Sequence, residues 1–181
     1  ASVFINENNP HLMGIADGLQ LVLYGNNGEL IDCSPYLHLS VKGMDVQTNL
    51  IGAYNLDNAL AAACIGQFFE VSDEDICAAL NEYTPTNNRS QLVKTGKNTL
   101  IVDAYNANPT SMKAALDNFH RMNMPNKMII IGDMRELGEA SHEEHVKILQ
   151  LVYKYSFPLV CLVGEEMRGA TTDMPDYSSS F

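Results

Sequence analysis

The 181-residue sequence has few basic residues and no long apolar run. Its 11 lysines and arginines, none of them adjacent, stand against 22 acidic residues and leave a net charge of −11. Such a charge repels phosphate backbones and anionic membrane surfaces, so we expect no nucleic-acid partner. A membrane-spanning helix needs roughly 18 consecutive apolar residues, and no such stretch is present. The amino-terminal residues lack the pattern of a signal peptide, which favours a cytoplasmic location.

Cysteine is scarce, and the glycine-rich phosphate loop is missing. The four cysteines form no C-x-x-C pair, so the sequence predicts reduced, buried thiols and no metal site. They are Cys33, Cys64, Cys77 and Cys161. The motif G-x-x-x-x-G-K-[ST] is absent, and residues 95–98 predict a hairpin turn instead. The chain therefore cannot hold a triphosphate in a loop of that kind.

Two polar segments in the second half each follow an apolar run. Residues 103–109 read Asp-Ala-Tyr-Asn-Ala-Asn-Pro, and residues 132–138 read Gly-Asp-Met-Arg-Glu-Leu-Gly. Strands are predicted immediately before them and once more later, at residues 99–102, 128–131 and 159–163. Helical patterns separate the three strands, so we expect right-handed crossovers and parallel strands in an α/β fold.

Both intervening helices carry start signals. Asn108 is placed to cap the first helix, and Pro109 suits its first turn. Ser141 followed by Glu144 predicts a capping box at the start of the second helix. His142 and His145 lie three residues apart on that helix and lack a third ligand, so we expect an exposed helix start rather than a metal site.

Parallel strands bring their carboxyl ends to one edge of a sheet, and open α/β sheets bind ligands at that edge. We therefore expect a polar rim built from residues that are distant in sequence. Its predicted members are Asp103, Tyr105, Asn106, Asn108, Asp133, Glu136 and Glu165.

The first half of the chain has a different pattern. Strands are predicted at residues 2–6, 19–24, 29–33 and 36–41, and helices at residues 55–69 and 72–82, the second capped by Ser72. Residues 83–89 lack periodicity and contain a proline, so they predict a linker between two domains, residues 1–88 and 89–181. The abrupt start and end of the pattern predict a fragment of a longer protein.

Four residues are candidates for ligand binding, each with a simpler alternative. Asn55 and Asn58 share a helical face and could pair with the edge of adenine, although an asparagine at a helix start is often only a cap. Arg89 in the linker could reach a phosphate or be a solvated loop arginine. Asp103 could accept hydrogen bonds from a ribose, hold a magnesium-bound water, or close a turn.

These residues stand in segments that resemble the Mur ligase family. The segments are residues 52–58, 88–91, 103–112 and 132–138, with His145 beyond, and the resemblance extends over about residues 1–167. It implies an α/β fold in which residues 1–88 form the end of a central ATPase domain without its phosphate loop. Residues 89–181 would then form most of a Rossmann-like carboxyl-terminal domain with parallel strands.

The resemblance implies an ATP-dependent ligase that adds D-alanyl-D-alanine to UDP-N-acetylmuramoyl-tripeptide through an acyl phosphate, in peptidoglycan precursor synthesis. It implies that Asn55 and Asn58 lie against adenine and that Asp103 holds the ribose. Arg89 would be the catalytic residue at the terminal phosphate. The residues implied to line the substrate cleft are Tyr105, Asn106 and Asn108. ATP and Mg²⁺ are the implied cofactors, with most magnesium ligands outside this chain.

Three alternatives to this function stay open. A sister Mur ligase or a folylpolyglutamate synthase-like enzyme would share the ATP chemistry and differ at the two polar segments. A noncatalytic nucleotide-binding or assembly module would keep the fold and lack the chemistry. Residues 105–109 favour the ligase for D-alanyl-D-alanine, and the fragment alone is predicted to be inactive. Many family members have histidine where Tyr54 stands.

Overall fold

The chain divides into two units, which the computed structural model describes over residues 2–86 and 88–174. The first unit is residues 1–102 and the second is residues 103–181. The domain division near residue 89, expected from the sequence, stays a prediction.

The first unit opens with two parallel strands joined by a short helix. Strand β1 (Ser2–Asn6) pairs with β2 (Gln20–Tyr24), and helix α1 (Pro10–Gly14) lies between them in sequence. The side chain of Asn9 caps α1 by accepting hydrogen bonds from two backbone amides. An antiparallel sheet of three strands comes next: β3 (Gly28–Cys33), β4 (Tyr36–Val41) and β5 (Met44–Ile51).

Two helices complete the core of the first unit. Helix α2 (Leu56–Phe68) and helix α3 (Asp73–Glu82) begin and end within one residue of the ranges predicted from the sequence. The hydroxyl of Ser72 accepts a hydrogen bond from the Asp75 amide and so caps α3 as predicted. Alternate residues of β4 are fully buried and pack with both helices, as do neighbours on β5. This core comprises Leu37, Leu39, Val41, Val46, Ala59, Leu60, Ala63, Ile76 and Cys77.

The first unit ends with a β-hairpin, and one prediction from the sequence was wrong here. Strand β7 (Thr99–Val102) was expected to be the first of three parallel strands, but it pairs antiparallel with β6 (Gln91–Lys94). The predicted turn between them explains the difference. The Thr95 hydroxyl accepts a hydrogen bond from the backbone amide of Asn98, which closes a tight hairpin and supplies β7 with a local partner.

The second unit is built around two parallel strands. Strand β8 (Met128–Gly132) pairs in parallel with β9 (Leu159–Val163), with Met128 opposite Leu159, so these two predicted strands are confirmed. The helices are α4 (Pro109–Arg121), α5 (Ser141–Tyr155) and α6 (Glu165–Ala170). One face of the sheet packs into an apolar core with these helices. Its buried members are Leu116, Ile129, Met134, Ile148, Leu149, Val152, Phe157, Met167 and Ala170.

The two helix starts predicted for this unit have different outcomes. Asn108 caps α4, with Pro109 in the first turn, as predicted. The capping box of Ser141 and Glu144 is wrong, because a 3-10 turn over Gly138–Ala140 runs directly into α5. Ser141 therefore lies inside the helical segment, and its hydroxyl donates a hydrogen bond to the carboxylate of Glu166 on α6 at 2.9 Å.

The cysteines are free thiols, and two of the four are buried. Burial raises the pKa of the Cys33, Cys64 and Cys77 thiols above its ordinary value. Cys33 and Cys161 are only half-buried, so the prediction of buried thiols holds for Cys64 and Cys77. Across residues 2–86 and 88–174, no helix combines the length and apolar character needed to cross a bilayer.

The core of the second unit can be tested on α5. Leu149 is fully buried, and its neighbour Gln150 on the same helix is exposed. We expect Leu149→Ala to lower the free energy of unfolding by about 2–5 kcal/mol, because it leaves a cavity in the core. Gln150→Ala, the control, should change that energy by less than about 0.5 kcal/mol. Urea denaturation followed by circular dichroism measures both, and equal effects would contradict this assignment of the core.

Candidate functional site

The start of α2 holds two asparagines that are hydrogen-bonded to each other. The side-chain amide of Asn58 donates to the side-chain oxygen of Asn55 at 3.0 Å, and the amide of Asn55 donates to the backbone oxygen of Ile51 at 2.8 Å. Asn55 makes no side-chain capping bond to the helix, so the capping alternative does not describe it. The two side chains instead form a fixed pair in which Asn55 is half-buried and Asn58 is exposed.

Tyr54 connects this asparagine pair with the segment that contains Arg89. Its hydroxyl is hydrogen-bonded to the hydroxyl of Ser90, a residue only 4% exposed. The ring of Tyr54 lies directly on Gly52, where an added Cβ would come within 2.3 Å of a ring carbon. Gly52 therefore has to be glycine on two counts, since its φ of 94° also lies in the left-handed region.

Arg89 is exposed and stands between two residues with left-handed backbones. Asn88 has a φ of 57° and Ser90 a φ of 50°, conformations that few non-glycine residues adopt. The buried hydroxyl of Ser90 and its bond to Tyr54 hold one side of this short segment. Within the first unit, Arg89 is thus tied to the start of α2 through its neighbour.

The polar segment before α4 opens the second unit. Asp103, Tyr105 and Asn106 are exposed, and the Tyr105 side chain is 63% accessible. The side-chain oxygen of Asn108 accepts a hydrogen bond from the Ser111 amide at 2.9 Å, and the Ser111 hydroxyl accepts one from the Asn108 amide at 3.2 Å. Asn108 is therefore engaged as a helix cap, as its position before Pro109 predicts.

Asp133, a predicted member of the rim, binds the start of α6. Its carboxylate accepts hydrogen bonds from the backbone amides of Met167 at 2.9 Å and Glu166 at 3.4 Å. A carboxylate at the amino end of a helix is stabilised by the unpaired amides there. Gly164 makes the approach possible, because a Cβ at that position would lie 2.2 Å from the Asp133 carboxyl group. Asp133 and the residues that follow β9 are thus brought together. The rim members predicted from β7 lose the basis for their place there, because β7 is not a strand of this sheet.

His145 corrects a further prediction. It was expected on an exposed helix start, but it is fully buried. Its Nε2 accepts a hydrogen bond from the backbone amide of Met134 at 2.9 Å, and its Nδ1 donates one to the backbone oxygen of Ser141 at 2.7 Å. The sequence did carry a signal for burial. His145 lies three and four residues before Ile148 and Leu149, a spacing that places it on the apolar face of α5.

His142 is exposed, and its ring is 2.8 Å from the carboxylate of Asp173. In the part of the chain that the structure describes, no group of three or more histidine, cysteine, aspartate or glutamate residues is placed to hold a metal ion. The two histidines of α5 thus have separate partners, one in the core and one on the surface.

The fold and these segments define a class of protein. Parallel strands connected by helices, and polar loops after the carboxyl ends of the strands, are features of Rossmann-like α/β domains that bind ligands at that edge. Over residues 88–175, the sequence matches the family described as "Mur ligase, glutamate ligase domain".

Relatives and solved structures agree with this match. The chain is 37% identical over 112 residues to UDP-N-acetylmuramoyl-tripeptide–D-alanyl-D-alanine ligase of Bacillus subtilis strain 168, covering 60% of this chain and 24% of that enzyme. A crystal structure of MurF from Acinetobacter baumannii superposes with a TM-score of 0.79 and 25% identity, over 94% of this chain and 40% of that one. MurF from Thermotoga maritima in complex with ADP has the same fold, with a TM-score of 0.79 at 17% identity, over 94% of this chain and 42% of that one.

The chain belongs to the Mur ligase family. It spans about a quarter of the length of the curated relatives it matches, with 24% and 27% covered in two of them. The resemblance inferred from the motifs is confirmed. The sequence did not point to the contacts of Tyr54 with Ser90 and of His145 with Met134, because each joins segments that are separated along the chain.

The close approach of Gly164 to Asp133 gives a matched test within α6 and its start. We expect Gly164→Ala to lower the free energy of unfolding by about 1–3 kcal/mol, since its φ of 116° is strained for alanine and the new Cβ meets the Asp133 carboxyl group. Gly169→Ala is the control, because no atom lies within 4 Å of an added Cβ there. It should be neutral or slightly stabilising. If thermal denaturation shows the same loss for both variants, the close packing at Gly164 is wrong.

Proposed function

We propose that this chain is part of an ATP-dependent amide ligase that adds D-alanyl-D-alanine to UDP-N-acetylmuramoyl-tripeptide in peptidoglycan precursor synthesis. The observation that carries the proposal is the 37% identity to the Bacillus subtilis enzyme of that activity. The family domain, which matches residues 88–175, contains the polar segments before α4 and after β8.

The asparagine pair supports a role in binding adenine. A side-chain amide offers two donors and one acceptor. The bond between the two residues uses one donor of Asn58 and the acceptor of Asn55, and Asn55 gives a donor to Ile51. Asn58 is exposed and keeps a carbonyl oxygen and a second donor, the combination that matches an amine and a ring nitrogen of adenine. In the proposal Asn58 reads the base, and Asn55 fixes the orientation of Asn58.

Arg89 is the proposed catalytic residue. In the reaction, a substrate carboxylate takes the terminal phosphoryl group of ATP, which forms an acyl phosphate and releases ADP. The amine of the dipeptide then attacks the acyl carbon, loses a proton and displaces phosphate to form the amide. Negative charge develops on oxygen atoms in both steps, and a planar guanidinium stabilises such charge with paired hydrogen bonds. Two observations support this role: Arg89 is exposed, and the bond of its neighbour Ser90 to Tyr54 holds the backbone beside it.

The proposed remaining contacts come from the second unit. Asp103 would accept hydrogen bonds from the ribose hydroxyls, and the exposed side chains of Tyr105 and Asn106 would line the cleft for nucleotide and dipeptide. Asn108 would act there mainly through its helix cap, since its side-chain oxygen is bonded to the Ser111 amide. The described residues lack a cluster that fits Mg²⁺, so no ligand and no step is assigned to that ion.

The assignment is tested by phosphate release from ATP. The longer ligase that contains this sequence is supplied with UDP-N-acetylmuramoyl-tripeptide and either D-alanyl-D-alanine, single amino acids or no amine. We expect release to require the dipeptide, and the isolated 181-residue chain to release none. Release with another amine would assign the chain to a sister ligase. Absence of release from a folded protein under every condition would favour a noncatalytic module.

Arg89 is tested by its effect on turnover. We expect Arg89→Ala in the longer ligase to lower kcat by roughly 10- to 100-fold, and to weaken ATP binding by less than about threefold, because the guanidinium acts on charge that develops during reaction. Arg121→Ala is the matched control, since Arg121 is also exposed and lies at the far end of α4. Wild-type kinetics for Arg89→Ala, or an equal loss with Arg121→Ala, would contradict the role.

A further inference from the structure

The loop after β8 has an unusual backbone that needs support from outside. It covers residues 133–137 and leads into the 3-10 turn that begins at Gly138. Glu136 at a φ of 65° and Gly138 at a φ of 56° are left-handed. Arg135 and Glu136 at its tip are exposed. An exposed loop with a strained glutamate keeps one conformation only when neighbouring groups determine it.

Two consecutive residues at the base of this loop are anchored to different helices. The carboxylate of Asp133 binds the amides at the start of α6, at 2.9 Å for Met167. The backbone amide of Met134 donates to Nε2 of His145 on α5 at 2.9 Å. Met134 is 2% exposed and His145 is fully buried, so water cannot replace either partner of the second bond.

The hydrogen bonds of His145 also determine its protonation form. Nε2 has to accept, because the backbone amide of Met134 can only donate. Nδ1 has to carry the proton, because the backbone oxygen of Ser141 can only accept. The imidazole is therefore neutral, with its proton on Nδ1, and it bridges the first turn of α5 and the base of the loop.

We propose that His145 is the positioning residue of the loop after β8, which it fixes by accepting the hydrogen bond of the Met134 amide. This role goes beyond the proposed ligase function, in which His145 takes no part. The role requires that the side chain at position 145 place a buried hydrogen-bond acceptor within reach of the Met134 amide. The tip residues Arg135 and Glu136 are held at the carboxyl edge of the sheet as a consequence.

A pair of substitutions separates this role from general packing. The amide oxygen of glutamine can take the place of Nε2, whereas the amide of asparagine can take the place of Nδ1 but ends short of Met134. His145→Gln therefore keeps the acceptor for the loop, and His145→Asn keeps only the local bond to Ser141. Both variants replace the imidazole by a smaller amide in the same core.

Amide hydrogen exchange, measured by NMR on the 181-residue chain, is the test. We expect the Met134 amide to exchange roughly tenfold faster in His145→Asn than in wild type, and His145→Gln to restore most of the protection. The amide of Val152, a buried residue on α5, is the reference within each sample and reports the stability of the core. Equal exchange of Met134 in the two variants, relative to Val152, would overturn the proposal.

The wild-type chain provides a second test that does not depend on the variants folding. Long-range ¹⁵N–¹H correlation spectra distinguish the two neutral tautomers of a histidine ring. We expect the proton of His145 on Nδ1. A proton on Nε2 would overturn the proposal, because that nitrogen could not then accept from Met134.

A kinetic comparison in the longer ligase asks whether the fixed loop takes part in ligation, and this step alone rests on the proposed function. We expect His145→Asn to lower kcat/KM about tenfold, and His145→Gln to recover most of that loss. An inactive wild-type enzyme would reject the ligase assignment and leave the exchange result standing. Active variants with equal kcat/KM would reject the role of the loop in ligation.

Discussion

The arrangement of the helices in the second unit depends on the hydrogen bonds that the two residues after β8 make. At that point Asp133 binds the start of α6 and Met134 enters the core to meet His145 on α5. In the described part of the second unit, residues 103–174, the sheet of β8 and β9 has two strands. Hydrogen bonds between these strands do not by themselves fix the loops and helices beyond them. The bonds of Asp133 to the start of α6 and of Met134 to His145 fix these loops and helices, since they join the end of β8 to α6 and α5 at one edge of the sheet.

The same edge explains why a carboxylate and a glycine stand where they do. Two helix amides are available at the start of α6, and the Asp133 carboxylate satisfies them. Any side chain at Gly164 would displace this carboxylate. The residues that looked like a ligand-binding motif in the sequence thus divide into two groups. Asp133 and Met134 fix the loop, and Arg135 and Glu136 are presented to solvent.

The first unit uses hydroxyl and amide groups in a comparable way. Tyr54 is bonded to Ser90, and Asn55 is bonded to Asn58, so two consecutive residues before α2 each order a different neighbour. The arrangement connects the exposed amide proposed to read a base with the segment of the arginine proposed to meet a phosphate. A substrate that contacts both groups would meet an asparagine side chain and an arginine backbone that are already held, which reduces the entropy lost on binding.

The predictions that the structure confirms are those that rested on local patterns in the sequence. The caps of α3 and α4, the limits of α2 and the parallel pair β8 and β9 depend on residues close together or on a simple periodicity, and all were predicted. The prediction that β7 joins a parallel sheet was wrong, because β7 pairs with β6, its neighbour in a hairpin, rather than with a strand distant in sequence. The prediction for His145 was wrong because it considered only a metal site or an exposed helix start, whereas the spacing before Ile148 and Leu149 places His145 on the apolar face of α5. Short α6 was missed, since its start depends on the distant Asp133.

Electrostatics adds a last constraint on the proposed nucleotide site. With a net charge of −11, the chain as a whole repels an anion such as ATP. Salt at physiological strength screens charges beyond about 8 Å, so the groups close to the ligand decide the interaction. Residues 83–102 contain Arg89, Lys94 and Lys97 and no acidic residue, although acidic residues outnumber basic ones by 22 to 11 in the whole chain. Lys94 and Lys97 stand at and beyond the far end of β6, a strand about 10 Å long, so Arg89 itself has to supply the local positive charge that attracts a phosphate.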